Sequence, residues 1–539
     1  MIKVILIACL FSIHTLGFAQ LSVEGEVAIP LDRQKNDFEL VNLGKKGLLV
    51  FVGGTNLQNA QESLTVIRYD TLLTEQWRNS YPVSLKIVKS LSSLANDKLY
   101  LLVNVENAIY QIISLSLLNG NMEMMSLRNP LDLYGTDFKI EQFVSVFEGF
   151  VFGGTLKEKP AILHYDTRIA DFKVLPNINY LKANIISIAA DTSARFFSVL
   201  LASREGFYYN TYSNEGKLIG NNEVKTENKK YNFHSFQQYV KNEREQFVIG
   251  TYSFFLPQAQ GVYISKFINH EYESTQYYSF NEFKNFYNHL DSTKRKKIQA
   301  KIKSNTSYRN EYEIKEQELS ILDDKVFLVL RANKPIYTAS YKVEKEATSS
   351  SELKIGNYTY KKTEVYLTPA PITNTDVTRG SSSRSRSSSN TVFDTNTEPS
   401  QFRKVGNVQK NIPNIKIQGY VYQNIITCTF DKNGKMLWDN AFDVRNIDYQ
   451  DKANIQVGAK LNHISLLQFL NQKVYLSKAI DNVSNKDTYL LNSPINDLDG
   501  ATQKHQIVSW YENQFIFIGF SYKNQLTPVL KLVKVLSTD

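Results

Sequence analysis

Histidine is the side chain best suited to proton transfer or metal ligation near neutral pH, and this chain offers His164, His234, His270, His289, His463 and His505 beyond its first twenty residues. Each stands alone in the sequence, so the six could share a site only if the fold carried them to a common axis; surface or strand positions are the simpler reading. No G-x-S-x-G, H-E-x-x-H, Walker or G-x-G-x-x-G pattern is present, and there is no cysteine pair to ligate a metal. Two acidic turns, Asp431-Lys432-Asn433-Gly434 and Asp497-Leu498-Asp499-Gly500, lack the full calcium-loop spacing and its closing Glu, and read as tight turns. Paired carboxylates for glycoside cleavage would come from distant segments, about which spacing carries no information. No catalytic residue, metal or cofactor is therefore assigned.

The elements that would position any site repeat. Short apolar strands end at Gly53, Asn104, Gly153, Ala202, Gly250, Arg331, Phe469 and Gly519, at intervals of 51, 49, 49, 48, 81, 138 and 50 residues. Such a period, with several strands in each, predicts an all-β chain: a β-propeller of about eight four-stranded blades, or seven if one unit is an excursion. Within the first period Leu64 to Tyr69, Glu75 to Asn79 and Val83 to Leu91 read as strands. Ile425 to Phe430 and Lys435 to Trp438 flank Asp431-Lys432-Asn433-Gly434 as a hairpin, Asn-Gly supplying positive φ, and Asn119-Gly120 and Glu215-Gly216 mark similar turns. Leu21 to Ile29 and Phe38 to Leu43 are expected to complete the last blade beside Val529 to Val535, closing the ring with strands from both termini.

Two units carry Gly53-Gly54, Tyr69, Trp77 and Gly153-Gly154, Tyr165, Phe172, an order that resembles a kelch repeat and implies blades but no ligand. The long intervals hold insertions. Residues 281–310 read as a helix, with Ser279 and Glu282 as a capping box and Phe283, Tyr287 and Leu290 on one face, turning basic at Lys294, Arg295, Lys296, Lys297, Lys301 and Lys303 around Ile298 and Ile302. Residues 345–415 contain GSSSRSRSSSN and a Thr, Asn, Pro and Ser-rich stretch that cannot bury a core, so a mobile loop is expected, with a brief hairpin around Tyr358, Tyr360, Val365, Tyr366 and Leu367. The segment Asn281-Glu282-Phe283-Lys284-Asn285-Phe286, the basic stretch after it and Ile425 to Asn440 together resemble a group of secreted proteins of Bacteroidota. That resemblance implies a source and an exported fold, and no activity.

Residues 1–19 read as a secretory signal peptide: Lys3, the apolar stretch from Val4 to Leu16, then Gly17-Phe18-Ala19. The lipobox-like Leu6-Ile7-Ala8-Cys9 leaves too short an apolar run before it. Residues 20–539 then form one propeller domain in the periplasm, on the cell surface or outside the cell, with no transmembrane segment. Cys428 is the lone cysteine left, a buried inert thiol by its strand context, so stability must come from packing. The net charge of +9 is spread thinly, and an exported location argues against nucleic acid. A monomeric, non-enzymatic binding or scaffold propeller recognising a protein or glycan is expected; the alternative is a propeller hydrolase or lyase acting on polysaccharide. A ligand would meet the ends of the inner strands at the channel mouth, which selects Thr55, Asn56, Thr155, Arg204, Tyr252, Arg331 and Asn333 as positions.

Overall fold

Runs such as Phe150-Val151-Phe152 and Phe247-Val248-Ile249 are buried at every residue, because both of their faces are covered. A computed structural model shows what covers them. It describes residues 21–31 and 38–537, save 56–61, 83–90, 107–108, 128–137, 177, 179–181, 192–194, 204, 227–230, 241, 243, 255–257, 305–309, 311, 323–324, 341–352, 356–357, 361–413, 445–454, 461–462, 471–472, 481–482, 493–505 and 522–527.

Eight antiparallel four-stranded sheets stand in a ring as an eight-bladed β-propeller. Blade 1 comprises Phe38–Asn42, Leu48–Thr55, Glu62–Tyr69 and Glu75–Tyr81; blade 2, Leu91–Ala95, Lys98–Glu106, Ile109–Ser116 and Met122–Ser126. Blade 3 comprises Phe138–Val146, Gly149–Leu156, Lys159–Asp166 and Asp171–Val174; blade 4, Ala183–Ala190, Phe196–Ser203, Gly206–Ser213 and Leu218–Lys225. In blade 5 the first strand is split into Asn232–Phe233 and Gln237–Val240, both paired with Glu245–Ser253, and Gly261–Ile268 and Glu271–Ser279 follow. Blade 6 comprises Glu313–Leu322, Lys325–Ser340, Asn414–Phe430 and Met436–Asp443; blade 7, Ile455–Lys460, His463–Leu470, Lys473–Ile480 and Val483–Asn492. First strands of neighbouring blades touch one another, which makes them the innermost.

The apolar runs on which the period was aligned are therefore second strands, one step out from the axis. Their side chains fill sandwiches between neighbouring sheets: Leu49, Phe51 and Val66 meet Leu99, Leu101 and Ile113, and Val151 and Ile162 meet Phe197, Val199 and Tyr212. At about 1.5–3 kcal/mol for each large apolar side chain fully buried, this packing can stand in for disulfides. The outer strands alternate instead, as Leu218–Lys225 does, because one face meets water. Cys428 is fully buried between blades, and burial pushes its thiol well above its ordinary range.

Two expectations are corrected by the topology. Blade 8 comprises Gln506–Ser509, Gln514–Ser521 and Val529–Ser537, with Leu21–Pro30 as its outermost strand, whereas Phe38–Asn42 opens blade 1. Only one N-terminal strand closes the ring, because the last blade already owns three. Likewise Leu91 starts blade 2 and does not end blade 1, whose outer strand stops at Tyr81; residues 83–90 lie outside those described. Blades 1 and 8 are then tied by Trp510 Nε1–H to the Gly47 carbonyl (3.0 Å) and by Lys534 Nζ, which bonds the Thr71 carbonyl (2.6 Å) and the Glu24 carboxylate (2.8 Å).

Two of the 3–4 turns share one chemistry. Asp431 Oδ1 accepts the N–H groups of Asn433 (2.8 Å) and Lys435 (2.9 Å), and Asp70 does the same for Leu72 and Thr74 (both 2.9 Å). Gly434 takes positive φ (82°) and Asn433 does not, so one of the two residues expected to supply it does, and the register is bulged between Thr429 and Phe430. Gly120 and Gly216 take positive φ at the corresponding turns.

The chain divides into two compact units: Met1–Ala332, Asn424–Arg445 and Asp451–Asp539 form the first, and Asn333–Gln423 with Asn446–Gln450 form the second. Within the second, Leu353–Ile355 pairs antiparallel with Tyr358–Tyr360. The hairpin thus lies upstream of the one expected, and Val365, Tyr366 and Leu367 lie outside the described residues, as do residues 1–19, expected to be a signal peptide, and most of 345–415.

Candidate functional site

Near the axis, polar groups on and beside the innermost strands reach across to the next blade. Ser145 N–H donates to Ser93 Oγ (2.9 Å), Gln142 Nε2 to the Ile186 carbonyl (3.4 Å), and Gln237 Nε2 to the Gln317 carbonyl (2.6 Å). Ser198 Oγ meets Gln238 Oε1 (2.9 Å), Arg331 Nη1 donates to the Ile455 carbonyl (3.0 Å), and Ser509 N–H donates to Gln456 Oε1 (3.2 Å). Asn42 Nδ2 extends the belt from blade 1 to blade 8 by bonding the carbonyls of Ser509 (3.0 Å) and Trp510 (2.7 Å). Neighbouring blades thereby consume much of the hydrogen-bonding capacity near the axis. Apart from Arg331, sequence reading passed over these residues because it anchored on the apolar second strands. The signal available was a glutamine in the strand before several of those runs: Gln142, Gln237, Gln317 and Gln456.

Apart from Arg331, the selected positions that the structure describes fall elsewhere. Thr55 and Thr155 sit at the ends of second strands, Tyr252 and Arg331 lie in second strands with 2% of their surface exposed, and Asn333 is fully buried. Tyr252 packs among the rings of Tyr231 (4.8 Å) and Tyr277 (5.4 Å), and Arg331 also pairs with Glu318. None of these residues is on an innermost strand, and Asn56 and Arg204 lie outside the described residues. Among the described residues no three His, Cys, Asp or Glu side chains converge as a metal site. His164 and His270 instead serve blade junctions: His164 Nε2 meets the Asn214 carbonyl (2.7 Å), and the His270 carbonyl accepts from Asn222 Nδ2 (2.7 Å). Burial lowers the His164 pKa.

The second feature is the segment between blades 5 and 6. Because strands alternate in direction, this connection lies on the face that carries the 2–3 turns. The expected helix over 281–310 is present only as Ser292–Ser304, here α1; before it stands a single 3-10 turn, Phe280–Glu282. The reason is a buried carboxylate. Asp439, 2% exposed, accepts the N–H groups of Lys284 (3.0 Å) and Asn285 (2.8 Å), and Asn285 Nδ2 returns a bond to the Asp439 carbonyl (2.9 Å). Those amides are spent on blade 6, and Phe280, Phe283, Phe286 and Tyr287 each anchor in the core between blades 5 and 6. Ser279 Oγ does cap the turn, accepting from Asn281 N–H (3.3 Å). Desolvation raises the Asp439 pKa against the opposing pull of the two N–H groups.

His289 secures the same segment. Its Nδ1 lies 2.9 Å from the Phe286 carbonyl and its Nε2 lies 2.9 Å from Tyr312 Oη, so the neutral ring donates at Nδ1 and accepts at Nε2. Burial lowers its pKa to about 4, with the Phe286 bond opposing. A folded pKa below the unfolded one means stability that is complete above about pH 6.5 and is lost as pH falls toward 4. Between pH 7 and pH 5 the wild type should lose about 2 kcal/mol more than His289→Gln in denaturant titrations. Equal losses in the two proteins would remove His289 from this role.

Asp291 caps α1, its Oδ1 accepting Lys294 N–H (2.8 Å), and Arg295 Nη1 ties the helix back to Asn288 Oδ1 (2.8 Å). Ile298 and Ile302 pack on the core between blades 5 and 6. Lys294, Lys296, Lys297, Lys301 and Lys303 are exposed. The arrangement is a docked platform with a basic outer ridge, suited to holding a partner by charge.

No family model matches the chain, and no curated protein matches it. Solved structures do. A polysaccharide lyase, Uly1, aligns over 95% of this chain and all of its own at 8% identity and a TM-score of 0.36. The β-propeller domain of the Trilobed protease from Pyrococcus furiosus aligns over 84% of this chain and 97% of its own at 9% identity and a TM-score of 0.31. An acylaminoacyl peptidase aligns over 90% of this chain and 58% of its own at 7% identity and a TM-score of 0.34. Among the described residues no helix is long and apolar enough to cross a membrane. The chain itself is an eight-bladed β-propeller closed by its two termini.

Proposed function

We propose that this protein is an exported, non-enzymatic binding propeller that recognises a protein or glycan partner through the platform between blades 5 and 6. The observation that carries the reading is the fixing of that platform by Asp439 and four aromatic anchors, while its outer face is left to solvent. A surface held in this way is pre-organised, so little ordering cost is left for the binding event. The polar belt near the axis supports the same reading, because its groups are engaged between blades and hold the ring in register.

The test is to incubate the purified chain with a panel of polysaccharides and envelope proteins. Reducing ends and unsaturated-uronate absorbance would be followed alongside hydrogen exchange of residues 280–312. Slowed exchange on this segment with one partner, and no product from any, is the expected result. Chain shortening or a lyase product would overturn the non-enzymatic reading in favour of a polysaccharide-cleaving propeller.

A further inference from the structure

Four lysines of α1 have no acidic partner among the described residues: Lys296, Lys297, Lys301 and Lys303. Elsewhere some exposed lysines are paired, as Lys45 is with Glu512 (2.8 Å), Lys139 with Glu141 (3.1 Å) and Lys225 with Glu223 (3.2 Å), and others stand singly; on α1 four lie together on one solvent face. On α1 the only pairing is Lys294 with Asp291 at its first turn (3.4 Å). Like charges at i, i+4, such as Lys297 and Lys301, oppose the helix by about 0.2–0.5 kcal/mol. An anion laid along the ridge would relieve that repulsion.

We propose that the solvent face of α1 binds an anionic polysaccharide, a chain carrying uronate or sulfate groups. This deepens the reading of the protein as a binding propeller and rests on it. The helix cannot roll to offer another face, because Ile298 and Ile302 are packed on the propeller and Arg295 is tied to Asn288. Lys296 and Lys303 are seven residues apart and line one edge of the exposed arc; Lys294 and Lys301, with the same separation, line the other. Seven residues advance about 10.5 Å along a helix, so each edge presents point charges at a regular interval to an extended, regularly charged chain.

The other polyanionic or acidic partners fit less well. Insertion into a lipid surface needs a free apolar face, and the apolar face of α1 is already committed to the core. A protein interface needs apolar or aromatic anchors, and none of the exposed large hydrophobic side chains described lies between residues 280 and 313. A linear polyanion needs neither, since release of its counterions supplies the affinity.

The test measures binding of the full chain to immobilised heparin and polygalacturonate across a salt series, with dextran as the uncharged control and duplex DNA as the competing polyanion. Replacing all four lysines (K296Q/K297Q/K301Q/K303Q) should weaken binding to the acidic chains by at least about tenfold and reduce the salt slope by about 3. A charge-matched set on blades 3 and 4 (K157Q/K159Q/K173Q/K217Q) should stay within about twofold of wild type. All eight positions are exposed, and matching thermal melts would exclude misfolding. Equal weakening by both sets, an unaffected ridge variant, no binding at low salt, or equally tight binding of duplex DNA would each overturn the proposal. If the acidic chain is bound through the ridge and then shortened, the non-enzymatic reading fails and the ridge stands. If instead residues 280–312 are protected only by an uncharged partner, the ridge fails and the binding reading stands.

Discussion

Lys534→Ala is expected to cost about 2–3 kcal/mol, because it removes a buried ammonium with two charge-assisted hydrogen bonds and the packing of its stem, although Glu24 itself keeps access to water. The side chain is 3% exposed; its ammonium meets Glu24 on the N-terminal strand and the Thr71 carbonyl in blade 1, and it lies 5.7 Å from the centre of the Trp510 ring. One residue therefore joins the last C-terminal strand to both the strand that closes the ring and the first blade. Lys531 pairs with Glu26 on the same two strands at 3.1 Å but is 23% exposed, so Lys531→Ala should cost less than about 1 kcal/mol. Urea unfolding of both variants checks the contrast. Similar small losses would mean that apolar packing alone holds the closure, and the Lys534 contacts would then be incidental.

Gly250→Ala is expected to destabilise by about 4 kcal/mol, at the upper end for a single substitution. A methyl group there would lie 1.8 Å from the Ser235 carbonyl oxygen and 2.6 Å from its carbon, so backbone would have to move. The backbone has little slack. Ser235 sits in the gap that splits the inner strand of blade 5, its N–H and that of His234 both bond the Thr251 carbonyl (3.3 and 2.8 Å), and its hydroxyl meets Thr251 Oγ1 (2.7 Å) and Gln317 Oε1 (2.8 Å). Gly154 faces the same constraint in blade 3, where the Lys139 carbonyl would be 1.9 Å from an added methyl beside a bulge in the inner strand. The comparison variant is Gly44→Ala, with φ of 61° and open space around it, which should cost only about 1–2 kcal/mol for the left-handed backbone. If Gly250→Ala unfolds no more easily than Gly44→Ala, the inner strand of blade 5 is softer than its hydrogen bonds imply.

These two sites show where sequence reading reached and where it stopped. The glycines that end the apolar runs were visible as a repeated letter, yet their purpose was not. Gly250 and Gly154 answer to carbonyls of a preceding strand that carries little hydrophobic signal of its own. Lys534 looked like one charge in an alternating final strand, and its partners are more than 460 residues away in the chain. The aromatic letters of 283–290 fit a helical face, and a helix was expected there; Asp439, more than 150 residues downstream, takes two of the amides.

By itself the sequence determined the repeat, most of the strands and turns and a count of about eight units with seven left open, because each depends on neighbours within one blade: alternating or continuous apolar runs, Asp or Asn opening a turn, and Gly where φ is positive. It also marked the basic stretch of α1, since a charge cluster is a local property. Only the tertiary structure decided which strand in each unit is innermost, which terminal strand closes the ring, which polar side chains stitch the blades, and which face of α1 remains open. Those choices depend on contacts between blades, made by residues that are separated by a full period or by nearly the whole chain, and no local pattern records them.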